Sequence, residues 1–365
     1  MSKSTIKLEF IALMASLMSI VALSIDALLP ALPEIGNSLE VIDTTKNQLL
    51  ITMIFLGIGF GQLLFGPLSD SFGRKRMVYI GFSIFILASI VCVNTKSFEV
   101  MIIGRVLQGI GLSSPRTIAI AMTRDTYKGD LMAKVLSFIV MFFILVPIVA
   151  PGFGQLLLDF FSWKAIFNTN LIIGSVVVIW FWKRQPETLK PKNRISFSGS
   201  IFITGTKEFF KYKEAVAFTF ISGFITGSFM VYLSTSQQIF QVQYQLGDLF
   251  PYIFASTAFS VGFATFANSQ LVMKFGAFNI AFTAAIAYTI ISILYVVLFH
   301  TGNNPSVHIL IAFFIVQFFA VGFLFGNLRS LAMEPLGHIA GIGSAINGFL
   351  STVCLLYTSP SPRDS

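Results

Sequence analysis

Three charged side chains stand inside stretches of sequence otherwise apolar enough to cross a lipid bilayer: Asp26, within Phe10 to Leu29, and Arg105 and Arg116, within Phe98 to Met122. A charge at membrane depth is costly, so each must face a protein interior or a watered cavity, and such residues mark routes for ions or substrates. Asp26 has the chemistry to take up and release a proton. Withdrawal from water and a nearby guanidinium act on its proton affinity in opposite senses, so a change of surroundings can move the proton on or off. Arg105, about seven residues inside its helix and close to the depth of Asp26, is the counterpart charge. Arg116 follows eleven residues later, almost three turns, which sets it on the same face about 16 Å further along. Two cations are therefore expected along one side of a cavity, on the helix that also carries Gln108. The plainer alternatives are a helix-end Asp26, since Pro30 follows closely, and arginines that serve only as structural partners.

The elements that hold these residues follow from composition. Hydrophobic residues make up 55% of the 365-residue chain and charged ones 11%, with a mean hydropathy of +0.82, a balance that requires lipid as the solvent. Apolar segments of spanning length recur six times between residues 10 and 182 and five times between residues 216 and 356. The expected fold is all-α and integral to the membrane, built as two pseudo-symmetric six-helix bundles. Residues 1–182 form the first, 183–213 a cytoplasmic linker, and 214–356 the second with five helices present. The linker breaks the apolar pattern with Pro186, Pro191 and eight basic residues, and Ile195 to Phe210 within it is apolar enough to lie on the membrane surface as a short helix. A shift of about 203 residues lays Gly59 and Phe60 on Gly262 and Phe263, Leu68 on Leu271, and Phe72 and Gly73 on Phe275 and Gly276, as a repeated bundle predicts.

Charge placement orients the chain. The net charge of +8 is concentrated in the loops on one side, including Arg74, Lys75, Arg76, Arg124, the 183–213 run, Lys274 and Arg329, against Lys46, Lys96 and Lys164 on the other. That asymmetry follows the positive-inside rule, places the N-terminus in the cytoplasm and removes the need for a nucleic-acid partner. The first apolar stretch is long for a signal peptide and lacks a small-residue cleavage site, so it reads as a retained helix. Cys92 and Cys354 lie apart inside apolar runs, and His300, His308 and His338 sit near helix ends, so neither a metal centre, a cofactor nor enzymatic chemistry is expected.

Two further motifs concern motion. Gly66-Pro-Leu-Ser-Asp70-Ser-Phe-Gly73-Arg74-Lys75 joins the second and third helices, with glycines for a tight turn, a carboxylate to pair with arginine and a basic cluster. In the fifth helix Pro147, Pro151 and Gly154 share one face at i, i+4 and i+7, which gives a kink and a close helix contact. Tyr232, Gln237, Gln238, Gln317 and Asn327 are the polar cavity candidates of the second half, or else residues that join helices by hydrogen bonds.

The loop after the second helix resembles the G-x-L-x-D-x-x-G-R-K signature of the major facilitator superfamily, and Arg105-Val-Leu-Gln108-Gly109-Ile-Gly111 resembles its R-x-x-Q-G-x-G motif. The run from Pro147 to Gly154 is similar to the G-P-x-x-G-G antiporter motif in its drug-exporter form, with Ala150 and Gln155 where glycine is usual. Ser71 stands where a basic residue commonly follows the aspartate, leaving the family's charge network one member short. Asp26-Ala-Leu-Leu-Pro30-Ala-Leu-Pro33 resembles the stretch that opens Bcr/CflA drug-resistance transporters, and further likeness runs through Met122 to Asp125, Gln185 to Thr188, Ala340-Gly341 and Ser344-Ala345.

The resemblance implies proton-coupled export of small amphiphilic compounds from the bacterial cytoplasmic membrane, by a monomer that alternates the access of one central cavity. Asp26 and Arg105 would couple the proton. Gly66, Asp70, Gly73, Arg74, Lys75, Pro147, Pro151 and Gly154 would gate. Uptake or symport on the same fold, and a membrane sensor that does not transport, are the alternatives. After Leu356 the chain continues Tyr-Thr-Ser-Pro-Ser-Pro-Arg-Asp-Ser, too polar to span, so residues 357–365 read as a non-native tail and the family's twelfth helix is expected to be missing.

Overall fold

The computed structural model describes residues 7–41, 43–127, 129–194, 200–300, 304–339, 343 and 345–350. Ala340, Gly341, Ser344 and the tail of residues 357–365 lie outside them. No strand occurs among the described residues. In lipid a backbone must satisfy its own hydrogen bonds, and an uninterrupted apolar run does so as a helix.

Six long helices come first: α1 (Leu8–Asp26), α2 (Leu49–Phe72), α3 (Arg74–Asn94), α4 (Phe98–Thr126), α5 (Gly129–Phe160) and α6 (Lys164–Arg184). Four more follow the linker: α7 (Lys213–Gln237), α8 (Phe250–Phe275), α9 (Ala277–Phe299) and α10 (Val307–Met333), and residues 345–350 are again helical. Among the described residues, eight helices are long and apolar enough to cross a membrane on length and composition alone. Within the linker, Ser200–Lys211 is helical and overlaps residues 200–210 of the stretch expected to lie on the membrane surface, whose residues 195–199 lie outside the described ones.

Local chemistry sets the ends. Pro30 falls in a 3-10 turn, Leu29–Ala31, that closes α1 just after Asp26. The Ser97 hydroxyl accepts from the Val100 N–H at 3.4 Å and caps α4. Gly73 and Gly276, superposed by the 203-residue shift, end α2 and α8 with φ of 102° and 78°, where a side chain would be strained, and each is followed at once by the next helix.

Close helix contacts use small residues, because lipid supplies no hydrophobic drive between helices. A side chain on Gly57 would strike the Val106 carbonyl, and one on Gly109 would strike the Ile54 carbonyl, so α2 and α4 pack backbone to backbone. Gly322 plays the same part between α10 and α8, where an added Cβ would come within 2.6 Å of the Val261 carbonyl. α4 packs against α1, α2, α3 and α5, which gives the helix that carries Arg105 and Arg116 protein neighbours in place of lipid. α9 is the opposite case: Phe278, Phe282, Ile286, Ile290 and Ile293 are exposed along it at helical spacing, a lipid-facing surface. The halves meet where α5 packs on α8, and where α2 meets the 345–350 helix through Phe60 and Phe349, whose rings lie 5.4 Å apart.

Candidate functional site

Arg105 is buried at 1% exposure, yet it is not salt-bridged to Asp26. Its Nε donates to the Leu50 carbonyl at 2.9 Å, and its Nη1 to the Ser24 carbonyl at 3.3 Å and to Gln108 Oε1 at 3.0 Å. Phe167 of α6 presents its ring 5.9 Å from the guanidinium. Gln108 Nε2 continues the chain to the Ser89 hydroxyl at 2.7 Å. Two side chains of α4, Arg105 and Gln108, thus tie together α1, α2, α3 and α6. The Ser24 carbonyl lies in the last turn of α1, where helix carbonyls lack an intrahelical partner, and the Leu50 carbonyl, in the first turn of α2, accepts through its second lone pair. Asp26, two residues beyond Ser24, is itself buried at 3% exposure.

Arg116 is placed differently, and the expectation of two cations along one cavity wall does not hold. It is half-buried, lies over the Phe143 ring of α5 at 5.9 Å, and lines a cavity of about 390 Å³, whereas Arg105 sits among the first-half helices and does not line it. A shared face in sequence does not secure a shared environment, because the bundle closes around the Arg105 end of α4 and opens around the Arg116 end. The cavity takes residues from both halves: Gln62 and Gly66 from α2, Arg116 and Thr117 from α4, Arg329 from α10, and Ala345. Arg329, read from the sequence as a loop cation, lies inside α10 and reaches this cavity.

At the cavity mouth the expected loop motif forms an ion-pair hub. Arg74 Nη1 pairs with Asp70 at 2.6 Å and donates to the Ser69 hydroxyl at 2.6 Å, while its Nε pairs with Asp125 at 3.0 Å. The Thr188 hydroxyl donates to the same Asp125 oxygen at 3.0 Å. Glu187 accepts from the backbone N–H groups of Arg74 at 3.2 Å and Lys75 at 3.0 Å, and so caps the first turn of α3. Lys75 Nζ reaches the Trp182 carbonyl at 3.0 Å. In the sequence, Asp125 and Glu187 stand out only as members of family-like stretches. Their roles depend on partners 51 and 113 residues away, a separation no local pattern encodes.

Removing the hub's cation should be felt more than removing either anion. Arg74→Gln leaves Asp70 and Asp125 facing each other unpaired. Discounted for partial exposure, it should cost about 2 kcal/mol, and Asp125→Asn about half of that. Thermal unfolding of the purified variants checks the order; equal effects would mean that Asp125 rather than Arg74 is the centre.

The halves also meet at the opposite end. Gln48, at the start of α2, donates to Gln238 at the end of α7, so the two halves touch there. Gly154 lies so close to α1 that a side chain would overlap the Ala27 carbonyl, one residue after Asp26. Pro147 and Pro151 both lie inside α5, and the neighbouring Gly152 faces Pro251 of α8.

Other second-half candidates join helices. The Tyr232 hydroxyl bonds Thr257 at 2.8 Å, and its ring packs at 4.9 and 4.6 Å from Phe314 and Phe318. Gln317 donates to Ser292 at 2.8 Å and Asn327 to Asn268 at 2.8 Å, whereas Gln237 donates at 3.0 Å to Gln241, one turn further along the same chain segment.

Long helices in two sets, glycine-lined contacts and a cavity shared between the sets define a helical membrane transporter. The chain belongs to the Major Facilitator Superfamily, whose family model matches residues 14–357. It is 29% identical over 347 residues to an uncharacterized transporter of this type, YdgK of Bacillus subtilis, covering 93% of this chain and 84% of that one. It is 31% identical over 269 residues to a bicyclomycin resistance protein homolog of Haemophilus influenzae, covering 73% and 67%. A crystal structure of a D-xylose-proton symporter superposes with a TM-score of 0.71 at 13% identity, over 95% of this chain and 88% of that one, which establishes the shared fold. With such relatives the chain is of the Bcr/CflA type and is a transporter rather than an enzyme.

Proposed function

We propose that the protein exports small amphiphilic compounds in exchange for protons, by alternating access of the cavity between its halves. The observation that carries this reading is the asymmetry along the molecule: a cavity lined from both halves at the basic end, and a closed contact through Gln48 and Gln238 at the other. Membership of a transporter family and a relative named for bicyclomycin resistance support the substrate class. In this reading residues 1–182 and 214–356 are the rocking units, 183–213 is the linker, and the basic end, with the N-terminus, is cytoplasmic in a bacterial inner membrane. A monomer suffices, because both walls of the cavity come from one chain.

The proton step falls to Asp26. The residue is buried where α1 ends, and Gly154 of the proline-bearing α5 packs on the next carbonyl, so a tilt of α5 against α1 changes the carboxyl's surroundings. Arg105 is a positioning residue, since it holds the Ser24 carbonyl and with it the last turn of α1. At about 100 mV one inward proton supplies about 2.3 kcal/mol and one pH unit about 1.4 kcal/mol more, which together sustain a gradient of several hundredfold in a neutral substrate.

Proteoliposomes test the proposal. Bicyclomycin or another amphiphilic antibiotic added to vesicles that hold the protein should drive proton movement in the opposite direction. Accumulation of substrate together with protons would favour symport.

A further inference from the structure

We propose that the cavity at the basic end is an anion site, in which Arg116 from the first half and Arg329 from the second take the acidic group of an amphiphilic ligand. The proposal rests on the export reading and narrows its substrate class to organic anions.

The cavity is lined by four arginines, Arg74, Arg116, Arg124 and Arg329, against two aspartates, Asp70 and Asp125, an excess of two positive charges. Both aspartates are already committed, because each pairs with Arg74, at 2.6 and 3.0 Å. Arg116 and Arg329 form no ion pair with a carboxylate among the described residues. What Arg116 does have is an aromatic face: Phe143 lies 5.9 Å from its guanidinium carbon. A ring on that face leaves the N–H edge of the guanidinium open, and that edge is the fork that grips a carboxylate with two parallel hydrogen bonds.

Two uncompensated cations in one cavity repel each other, and the repulsion is relieved by a ligand that brings negative charge. The remaining wall suits an apolar body of modest size, with Thr117, Ile120, Ala121 and Ala345 around a space of about 390 Å³. Because the arginines come from opposite halves, an anion between them would also hold the halves together at this end. It would therefore be bound most tightly while the halves are drawn together at this end.

Equilibrium dialysis of the full chain at pH 7, in nanodiscs of phosphatidylcholine, with 2-naphthoate and the isosteric 2-naphthamide tests the site. The carboxylate should bind at least about 10-fold more tightly than the amide, as expected of charge-assisted bidentate pairing. R116Q and R329Q should each lose about 10-fold for the carboxylate with little change for the amide, and R329K, which keeps the charge, should recover part of the loss. Equal affinity for acid and amide, or R329Q and R329K indistinguishable from the unaltered chain, overturns the proposal. Nanodiscs enriched in phosphatidylglycerol separate the sources of the anion: competition by the lipid assigns the acidic group to a headgroup, and its absence assigns it to a free solute. Proteoliposomes of the same chain keep the two readings apart. Proton movement with uncharged bicyclomycin but no preference for naphthoate sinks the anion site alone, whereas naphthoate binding without substrate-driven proton movement sinks the export reading alone.

Discussion

Asp26→Asn is expected to reduce substrate-driven proton movement to the level of empty vesicles while the protein still inserts and folds. The substitution keeps the size and most of the hydrogen-bonding capacity of the side chain and removes only the ability to exchange a proton. Asp26 makes no ion pair with Arg105, so its loss leaves no cation stranded, and the three hydrogen bonds of Arg105 to Leu50, Ser24 and Gln108 remain. Stability should therefore change little, and a thermal unfolding curve close to that of the unaltered chain is part of the expected result. Equilibrium binding of an uncharged substrate should also persist, because Asp26 does not line the cavity of Arg116 and Arg329. A variant that still couples protons would move the proton site elsewhere in the bundle. A variant that fails to fold would make Asp26 a structural residue.

The second large effect is expected at Gly154. A Cβ there would overlap the Ala27 carbonyl, and backbone cannot be moved aside as a flexible side chain can. Gly154→Val must push α5 away from α1 at the point where α1 ends. Overpacking a tight contact costs about 1–3 kcal/mol or more, and the branched side chain stands at the upper end. The consequence for function is larger than the consequence for stability, because this contact links α5 to the last turn of α1, which carries Asp26. Transport should fall to background, and a cysteine placed near Gln48 should become reactive from the outer face as that end loosens. Gly154→Ala should move both readouts in the same direction by a smaller amount. Normal transport by the valine variant would mean that the α1 to α5 contact is passive packing.

Much of the fold is legible in the sequence because lipid imposes so simple a demand. Helices long enough to span appear as apolar runs, and their breaks appear as Gly73, Gly276, Pro30 and the basic linker. The motifs were legible for a different reason. Their small residues exist to bring backbones together, as Gly109 and Gly154 do, and their charges exist to pair across a loop, as Asp70 and Arg74 do. Arg105 could be placed inside a bundle from its cost in lipid alone, but not its acceptors. The Ser24 and Leu50 carbonyls are main-chain atoms, and any residue at those positions would offer them.

Partners far apart in the chain were the part that periodicity could not supply. Glu187 caps α3 from across the first half, and Arg329 turns a loop-like cation into a cavity wall because α10 continues past it to Met333. Tyr232, Gln317 and Asn327 were open between lining a cavity and joining helices. Their bonds to Thr257, Ser292 and Asn268 place each of them between neighbouring helices of the second half. A polar residue in an apolar run indicates that a partner exists, and only the packing says whether the partner is protein or ligand.

The measurement that bears most directly on proton-coupled export is the movement of protons across proteoliposomes on addition of bicyclomycin, made side by side with the unaltered chain and Asp26→Asn. Substrate-dependent proton movement in the first and none in the second, with both proteins folded, is the predicted result. Proton movement of equal size in both, or none in either despite bound substrate, would contradict it.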